Sequence, residues 1–321
     1  MLSRFLLVRL SSSLAAATLA ACGSGTALAP ASTPTPARPG PAMVQVENSP
    51  QARPQSGLQQ ADLVFEYLAE GGITRMTVIY FHPGSGTRIG PVRSARPVTL
   101  RLQKAYQGVI FFSGANQKVL DQIKAQNVPA LSEGSDGGQY FFREPSRQPP
   151  HNLYTTGDRL ASGVRRHGPS LTYQPAAPGQ PSASPSPAAA ARIQFDQTSF
   201  HRVSYSYAAA DSAYLYSTAG GPLVDQSTGG GIKVVNVILL QVAHHDAGFT
   251  DVLGAPAQDF DLQGHGPADL FTGGRRYSIT WDLSNPDAPL RFVDAAGRPV
   301  RLPAGLTWVH LVDPGTAIAV A

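Results

Sequence analysis

The pattern of apolar and polar positions separates a part of the chain that mixes strands with helices from a part built of strands. Between residues 42 and 170, four segments alternate or run apolar as strands do: MVQVEN, LVFEYLAE, MTVIYFH and GVIFFSG. Two further segments, VTLRLQKAYQ and ANQKVLDQIKAQ, place apolar residues at helical spacing. Residues 42–170 are therefore predicted to form an α/β domain, with a mixed sheet and helices.

Residues 193–321 are predicted to form a β-rich domain. Its short strand-like runs are FHRVSYSY, AYLYST, VVNVILLQVAHH, RRYSITWDL and LTWVHLV, and clusters of Gly, Pro, Asn and Asp separate them. Many short strands with turn residues between them favour a compact sheet or a barrel-like unit. Together the two parts predict a two-domain α+β protein.

The first 22 residues have the composition of an export signal. Arg4 and Arg9 precede an apolar stretch that is short for a membrane span, and the segment ends in LAAC at Cys22. Cys22 is the single cysteine of the chain. We therefore expect a lipoprotein signal over 1–22 and a lipid on Cys22, which would hold the protein on the extracytoplasmic side of the cell membrane. The alternative is an ordinary secretory signal with a chance cysteine.

Two proline-rich segments mark the expected domain boundaries. Residues 23–41 are small, polar and proline-rich, so they are expected to form a disordered tether. A segment rich in Pro, Ala and Ser over 171–192 is expected to be a linker or an insert between the two domains.

The two predicted domains carry opposite charge. Residues 42–170 hold 14 basic and 9 acidic residues, whereas residues 193–321 hold 7 basic residues and 12 aspartates. Either the two halves attract each other, or the first half faces an anion, or the difference is sampling scatter. No nucleic-acid partner is expected for an exported chain with so small a net charge. No cofactor is expected either, since nucleotide cofactors are scarce outside the cell.

The stretch RIGPVRSARP, at residues 88–97, predicts an anion-binding helix start. Ser94 is placed as the N-cap of the following helix, with Arg93 and Arg96 beside it. Positive charge at the positive end of a helix dipole is unfavourable, so a negative group should compensate. That group is either internal, from Glu66 and Glu70, or an external anion. In a mixed case, Glu70 and Arg75 support the two arginines while some donors remain free.

A second polar stretch, REPSRQPPHNLYTT, extends this theme. It adds Arg143 and Arg147 as cationic donors, followed by His151 and Asn152. The histidine could act as a general acid or base, or it could simply bond to backbone groups and fix an irregular loop. No standard catalytic motif occurs, so the catalytic residues stay unknown, with His151, Glu70 and Ser94 as weak candidates. No metal site is expected, because the spacing of the histidines and aspartates after residue 243 matches no known pattern.

The same stretches carry a family resemblance. The blocks ARPQSGLQQADLVFEYLAEGGITRM, RIGPVRSARP and YFFREPSRQPPHNLYTT, with the C-terminal FTGGRRYSITW and LTWVHLV, resemble the YerB-like family of bacterial lipoproteins. The resemblance implies an exported, lipid-anchored protein with two domains of unknown function. It supplies neither a reaction nor catalytic residues.

These observations lead to one expected function and two alternatives. The expected function is recognition of an anionic cell-envelope component or an envelope protein through an arginine-lined cleft. The expected ligand-binding residues are Glu66, Glu70, Arg75, Arg93, Ser94, Arg96, Arg143, His151 and Asn152. The alternatives are an envelope hydrolase that acts on a phosphodiester or glycan bond, and a scaffold whose arginines and glutamates satisfy one another.

Overall fold

The computed structural model describes residues 39–134, 137–181, 187–251 and 254–321. The predicted signal, Cys22 and nearly all of the predicted tether lie outside the described residues. The described residues belong to one compact unit.

The first part of the described chain mixes strands and helices, as predicted. Its strands are β1 (Ala42–Glu47), β2 (Leu63–Leu68), β3 (Thr74–Tyr80), β4 (Arg88–Ile89), β5 (Val109–Phe112), β6 (Ala130–Ser132), β7 (Phe142–Arg143) and β8 (Leu153–Thr156). Its α-helices are α1 (Pro97–Tyr106), α2 (Gln117–Ala125) and α3 (Gly157–His167). Short 3-10 turns occur at Pro50–Ala52, Leu58–Gln60 and Gly138–Tyr140.

The second part of the described chain is built of strands, with one 3-10 turn at Ala209–Asp211. These strands are β9 (Ala188–Ala189), β10 (Arg192–Thr198), β11 (His201–Ala208), β12 (Ala213–Thr218), β13 (Gly221–Pro222), β14 (Lys233–Val234), β15 (Asn236–Gln241), β16 (His244–Thr250), β17 (Pro256–Phe260), β18 (Gly264–Thr272), β19 (Arg275–Leu283), β20 (Arg291–Val293), β21 (Thr307–Val312) and β22 (Ala319–Val320). The predicted α+β class, with a β-rich second part, is confirmed.

Strands from both parts form one mixed sheet of eleven strands. Their order is β20-β19-β18-β15-β21-β2-β3-β1-β5-β6, with β9 beside β19. Strand β21, near the C-terminus, is parallel to β2 on one side and to β15 on the other. The sheet is therefore continuous across the two parts, and β2 depends on the C-terminal part for one of its two neighbours.

A second sheet of six strands packs on the same core. Its order is β13-β12-β11-β10-β22, with β14 beside β12. The core combines residues from both parts, including Val64 of β2, Tyr205 of β11 and Trp308 of β21. On the surface, Arg101 of α1 forms a bidentate ion pair with Asp259 of β17, at 2.5 and 2.9 Å. The two oppositely charged parts thus contact each other through paired charges as well as through apolar packing.

Helix α1 does not begin as the sequence predicted. Its N-cap is Arg96, whose backbone is extended, and Pro97 is the first helical residue. The cap is completed by Thr99, whose Oγ1 accepts a hydrogen bond from Arg96 N at 3.0 Å. Ser94 instead donates to the carbonyl oxygen of Ser113 at 3.1 Å. The N-cap prediction for Ser94 is therefore wrong, because the residue before a proline is forced out of the helical region and starts the helix itself.

Helix α3 is absent from the sequence-based prediction. Its N-cap is Thr156, whose Oγ1 accepts a hydrogen bond from Arg159 N at 3.4 Å. Leu160 and Val164 lie one turn apart and are buried. Glycines at positions 157 and 163 weaken the helical signal in the sequence. The Gly163 position requires a small residue, since a Cβ there would lie 2.7 Å from the ring of Phe111.

Candidate functional site

The structure brings most of the predicted arginines and polar residues together near the start of α1. We call this group the arginine cluster. Its members are Glu47, Glu70, Arg75, Arg93, Arg96, Glu133, Arg143, His151 and Asn152.

Arg96 and Glu70 form the inner ion pair of the cluster. Both side chains are buried, and Nε and Nη2 of Arg96 face the two carboxylate oxygens of Glu70. Arg96 Nη1 also donates to the carbonyl oxygen of Ala95 at 3.0 Å. Since a forked guanidinium matches a carboxylate in shape and charge, this pair fixes the start of α1 against the β2–β3 hairpin.

Arg93 shares the carboxylate of Glu47 with His151. Its Nε lies 3.3 Å from Glu47 Oε2, and Nδ1 of His151 lies 2.9 Å from the same oxygen. Ser49 donates to the other oxygen of Glu47 at 3.0 Å. Glu47 ends strand β1 and is buried, whereas Arg93 and His151 are partly exposed. The carboxylate thus holds both side chains from the protein side.

Arg143 and Asn152 form the outer end of the cluster. Arg143 Nη1 donates to Asn152 Oδ1, and its Nη2 donates to Glu133 Oε2, each at 2.7 Å. Ser113 donates to the same oxygen of Glu133 at 3.4 Å. The carbonyl oxygen of Ser113 accepts a hydrogen bond from the Ser94 hydroxyl. Ser94 therefore lies beside the cluster, with its side chain bonded to the backbone.

Arg75 is the unbalanced member of the cluster. It lies on β3 directly opposite Glu47 of β1, and its residue exposure is 5%. Its Nε and Nη1 are buried, and neither has a hydrogen-bond partner among the described residues. Burial and the nearby charges of Arg96 and Arg93 lower the pKa of Arg75 from 12.5 to about 10, against the opposing effect of Glu47 and Glu70. Arg75 therefore stays charged at neutral pH without a direct partner.

The cluster carries one positive charge more than its carboxylates cancel. Its four arginines face three glutamates, Glu47, Glu70 and Glu133. Exposure rises from 5% at Arg75 to 27% for the Arg93 side chain and 47% for that of Arg143. The partly exposed guanidinium groups therefore lie on the solvent side of the buried surplus charge.

Glu66 does not join the arginine cluster. It lies fully buried on β2, and Nε2 of His201 lies 2.8 Å from its Oε1. Its other contacts come from Asn48, Thr74, Tyr216, Trp308 and His310, between 2.8 and 3.7 Å. The sequence placed Glu66 with Arg93 and Arg96. On strand β2 its side chain instead faces the second sheet.

The network around Glu66 perturbs two titrating groups. Burial, the largest single influence, would raise the pKa of Glu66, but the interactions with His201, His310 and Thr74 together hold that pKa well below its ordinary value. Burial lowers the pKa of His310 from 6.5 to about 4, against the raising effect of Glu66. His310 is therefore neutral at neutral pH. Its ring nitrogens contact Tyr205 OH and Gln197 Oε1, each at 2.7 Å.

Several other polar residues have structural contacts elsewhere. Arg147 donates to the carbonyl oxygens of Ala52 and Pro54, each at 2.8 Å, so it fixes a loop. His244 and His245 pair with different aspartates. The described residues contain no group of three or more potential metal ligands. Within the same residues, no helix has the length and apolar character needed to cross a membrane.

Sequence reasoning missed several residues of these two networks. Glu47, Glu133, His201 and Trp308 were not predicted as site residues. Glu47 could have been found from its place at the end of a predicted strand, where polar side chains often leave the core. No local signal identifies His201 or Trp308, because their partner Glu66 lies more than 130 residues away in the chain.

Comparison with known proteins places the chain in a family. Residues 26–170 match the family described as protein of unknown function (DUF3048), N-terminal domain, and residues 191–309 match the corresponding C-terminal domain. The protein named "Putative lipoprotein YerB", from Bacillus subtilis (strain 168), is 28% identical over 286 residues, which cover 88% of this chain and 83% of that protein.

A solved structure agrees with this relationship. The crystal structure of YerB protein from Bacillus subtilis superposes with a TM-score of 0.71 at 26% identity, and the match covers 88% of this chain and 94% of that chain. Sequence and fold thus agree over nearly the same extent of the molecule. The expected family is thereby confirmed, and the chain belongs to the YerB-like family of two-domain proteins of unknown function.

Proposed function

We propose that the protein is a lipid-anchored lipoprotein that binds an anionic cell-envelope component through its arginine cluster. The name of the Bacillus subtilis relative and the LAAC sequence at Cys22 support the lipid anchor. The anchor would hold the protein at the extracytoplasmic face of the membrane, where phosphate-rich polymers, lipid head groups and peptide carboxylates are the available anions.

The buried and unpartnered guanidinium of Arg75 carries the proposal. A buried charge without a partner is costly, so a group that can neutralise it should bind favourably. Two of the nearest carboxylates, Glu47 and Glu70, are already shared with Arg93 and Arg96. A purely structural network would pair all of its arginines, and this one leaves the most deeply buried of them without a hydrogen bond.

The partly exposed residues supply the contacts for a ligand. Arg93 and Arg143 are planar forks suited to phosphate or carboxylate oxygens, and Asn152, which is buried beside Arg143, adds an amide. Arg93 is close enough to affect the pKa of Arg75, so the charge of Arg75 would also attract an anion bound by Arg93. Such a site binds its ligand by charge and does not have to cleave a bond of the ligand.

The proposal is tested by thermal unfolding of residues 39–321 with inorganic phosphate, glycerol phosphate oligomers and muropeptides at constant ionic strength. Ligand at about a hundred times its Kd should add about 2.7 kcal/mol of stability. That corresponds to a rise of several degrees in Tm. Arg75→Met and Arg93→Ala should each remove most of the rise with the anion that binds.

Arg202→Ala is the matched control, because Arg202 is an exposed arginine paired with Asp196 outside the cluster. It should keep the full rise in Tm. The proposal is wrong if no anion raises the Tm of the unmodified protein, or if the two cluster variants respond as the control does.

The contact between Glu47 and His151 favours a second candidate function, phosphodiester or glycan hydrolysis. The carboxylate contacts Nδ1 of His151 at 2.9 Å and Nε of Arg93 at 3.3 Å, so Nε2 is the ring nitrogen that could act as a general acid or base. An arginine next to such a histidine could stabilise charge that develops during the reaction.

This candidate requires turnover of bis(p-nitrophenyl) phosphate or of envelope glycan fragments. His151→Gln should abolish the activity, and Glu47→Gln should reduce it about a hundredfold or more. A protein that binds phosphate with no turnover of any of these substrates would be a recognition module and not a hydrolase.

A further inference from the structure

A pocket of about 290 Å³ lies beside the buried Glu66 network and shares no residue with the arginine cluster. It lies between the tips of two hairpins and the loop that follows β1. Its lining residues are Asn48, Pro50, Arg53, Gly71, Gly72, Ile73, Thr74, Phe200 and His201. We propose that this pocket binds a small carboxylic acid with an apolar body, with the carboxylate on Arg53 and His201 and the body on Phe200 and Ile73.

Arg53 supplies the positive charge of the pocket. It donates to Asn48 Oδ1 at 3.2 Å and to the Asn48 carbonyl oxygen at 3.1 Å, and its Nη2 lies 3.5 Å from Nδ1 of His201. The ion pairs among the described residues do not include Arg53. A guanidinium without a carboxylate partner has unused capacity for one, and a carboxylate is the acceptor that it matches best.

Two exposed apolar side chains supply a surface for the body of the ligand. Phe200 is 82% exposed and Ile73 is 40% exposed, and within the described residues only Leu215 joins them as a large exposed apolar side chain. Both line the pocket together with Pro50. Adjacent exposed apolar groups next to a few fixed polar groups are typical of a small-molecule site.

The polar wall of the pocket is held rigid by Glu66. Its Oε1 contacts Asn48 Nδ2 at 2.8 Å, Thr74 Oγ1 at 2.9 Å and His201 Nε2 at 2.8 Å. Asn48 in turn joins Glu66 to Arg53, since its Nδ2 binds one and its Oδ1 binds the other. Wall groups that are already oriented lose little freedom when a ligand binds, which favours affinity.

The position of His201 explains why an acid can bind so near a buried carboxylate. Its Nε2 faces Glu66 and its Nδ1 faces Arg53 at the pocket wall. A ring with protons on both nitrogens can donate from Nε2 to Glu66 and from Nδ1 to a ligand carboxylate at once. Tyr216 and Arg53 also face this ring, at 3.2 and 3.5 Å.

Three probes separate the two parts of the proposed ligand. Phenylacetate carries both the charge and the ring, acetate carries only the charge, and phenylacetamide keeps the ring without the charge. Ligand-observed NMR of the purified full chain should show that phenylacetate binds about tenfold or more tightly than either of the others. Equal binding of phenylacetate and phenylacetamide, or no binding of phenylacetate at millimolar concentration, would overturn the proposal.

Variants locate the probe on the protein. Phe200→Ala and Arg53→Gln should each weaken phenylacetate binding by about tenfold or more, and Leu215→Ala and Arg202→Gln should leave it unchanged. Phe200 is exposed, so its variant decides the result even if loss of Arg53 disturbs folding. Binding that is unaffected by Phe200→Ala contradicts the proposal.

The arginine-cluster variants distinguish this site from the proposed function. Arg75→Met and Arg93→Ala should retain phenylacetate binding even where they lose the response to phosphate. If these variants abolish phenylacetate binding and Phe200→Ala does not, the acid binds at the arginine cluster and the second site does not exist.

Discussion

At the residue scale, the two glutamates of LVFEYLAE have different roles although they are four residues apart. Glu70 neutralises Arg96 near the start of α1. Glu66 is a fully buried anion that accepts hydrogen bonds from both sheets. Burial of a carboxylate is tolerated only when donors surround it, and His201 and Trp308 supply two of these donors. Glu66 therefore joins the two parts of the molecule at a single side chain.

Replacement of Glu66 should be strongly destabilising. Glu66→Gln removes the charge that pairs with His201 and turns one acceptor oxygen into a donor that faces other donors. We expect the free energy of unfolding in urea to fall by about 3 kcal/mol or more. Glu144→Gln is the control, since Glu144 pairs with Arg88 at the surface, and it should change the stability little. Similar losses for both variants would show that the buried network contributes little.

His310 should make the stability of the protein depend on pH. Its pKa is about 4 in the folded chain, against 6.5 ordinarily. Between these values the unfolded chain binds a proton that the folded chain does not, so the free energy of unfolding falls as pH is lowered from 6.5 to 4. Glu66 adds a further loss below 4.5, because its folded pKa lies below its ordinary value.

The measurement is urea unfolding at pH 7.5 and at pH 5. The unmodified protein should lose about 2 kcal/mol more than His310→Gln between these two conditions. His82→Gln, at an exposed histidine, should behave as the unmodified protein does. An identical pH dependence in the His310 variant would show that this histidine is not buried in its neutral form.

At the element scale, the tips of two hairpins form one surface. Thr198, at the end of β10, donates to the carbonyl oxygen of Gly72 in the β2–β3 turn at 2.8 Å. The ring of Phe200 lies directly over Gly72, where a Cβ would come within 2.4 Å of it. The absence of a side chain at Gly72 thus permits the close approach that positions Phe200 in the pocket.

Alanine substitutions at the neighbouring glycines should separate backbone strain from contact with Phe200. Gly71 and Gly72 both have positive φ, at 60° and 74°, so each substitution should cost roughly 1 kcal/mol of stability. A Cβ at Gly71 meets nothing within 4 Å, whereas one at Gly72 displaces Phe200. Only Gly72→Ala should therefore weaken phenylacetate binding in the NMR assay. Equal affinities of the two variants would mean that Phe200 is not fixed over Gly72.

At the scale of the whole molecule, the two family domains share one sheet. Strand β21 lies between β2 of the first part and β15 of the second. Its Trp308 is fully buried and donates to Glu66 across the boundary between the parts. Removal of the C-terminal part would leave the edge of β2 unpaired and the Glu66 carboxylate without several of its donors.

Neither part should fold by itself. Residues 39–170 and 171–321, expressed separately, should lack a cooperative thermal transition in circular dichroism. Expressed together, they should form a soluble complex, because the shared sheet and core can then assemble. A cooperative transition in the isolated 39–170 fragment would show that the first part is stable without β21.

The proposed membrane anchor also belongs to the scale of the whole chain. Cys22→Ser removes the thiol that would carry the lipid, and acyl chains contribute about 0.8 kcal/mol for each buried methylene. The unmodified protein should therefore be found in the membrane fraction after cell breakage, and the variant should be soluble. A Cys22→Ser protein that stays with the membranes would contradict a lipid anchor at that residue.

The sequence could predict the parts of this protein that depend on neighbouring residues. Strand and helix periodicity identified β1, β2, β3, β5, α1 and α2, and clusters of turn residues separated the strands of the second part. The class of fold followed from these patterns. Each strand or helix has an apolar face that must be buried, and the spacing of that face in the sequence does not depend on which element covers it. Helix α3 was not predicted, because its glycines weaken the helical pattern in the sequence. Packing on Phe111 stabilises this helix instead.

Only the tertiary structure decided which charges meet. Arg93 and Arg96 were expected to need a carboxylate, but strand register brought Glu47 to Arg93 and left Arg75 without a direct partner. Glu66 pairs with residues of β11 and β21 because β2 has β21 as its neighbour in the sheet. Periodicity along the chain fixes the face on which a side chain lies. The partner on that face is set by strands that are distant in sequence, and no local pattern records it.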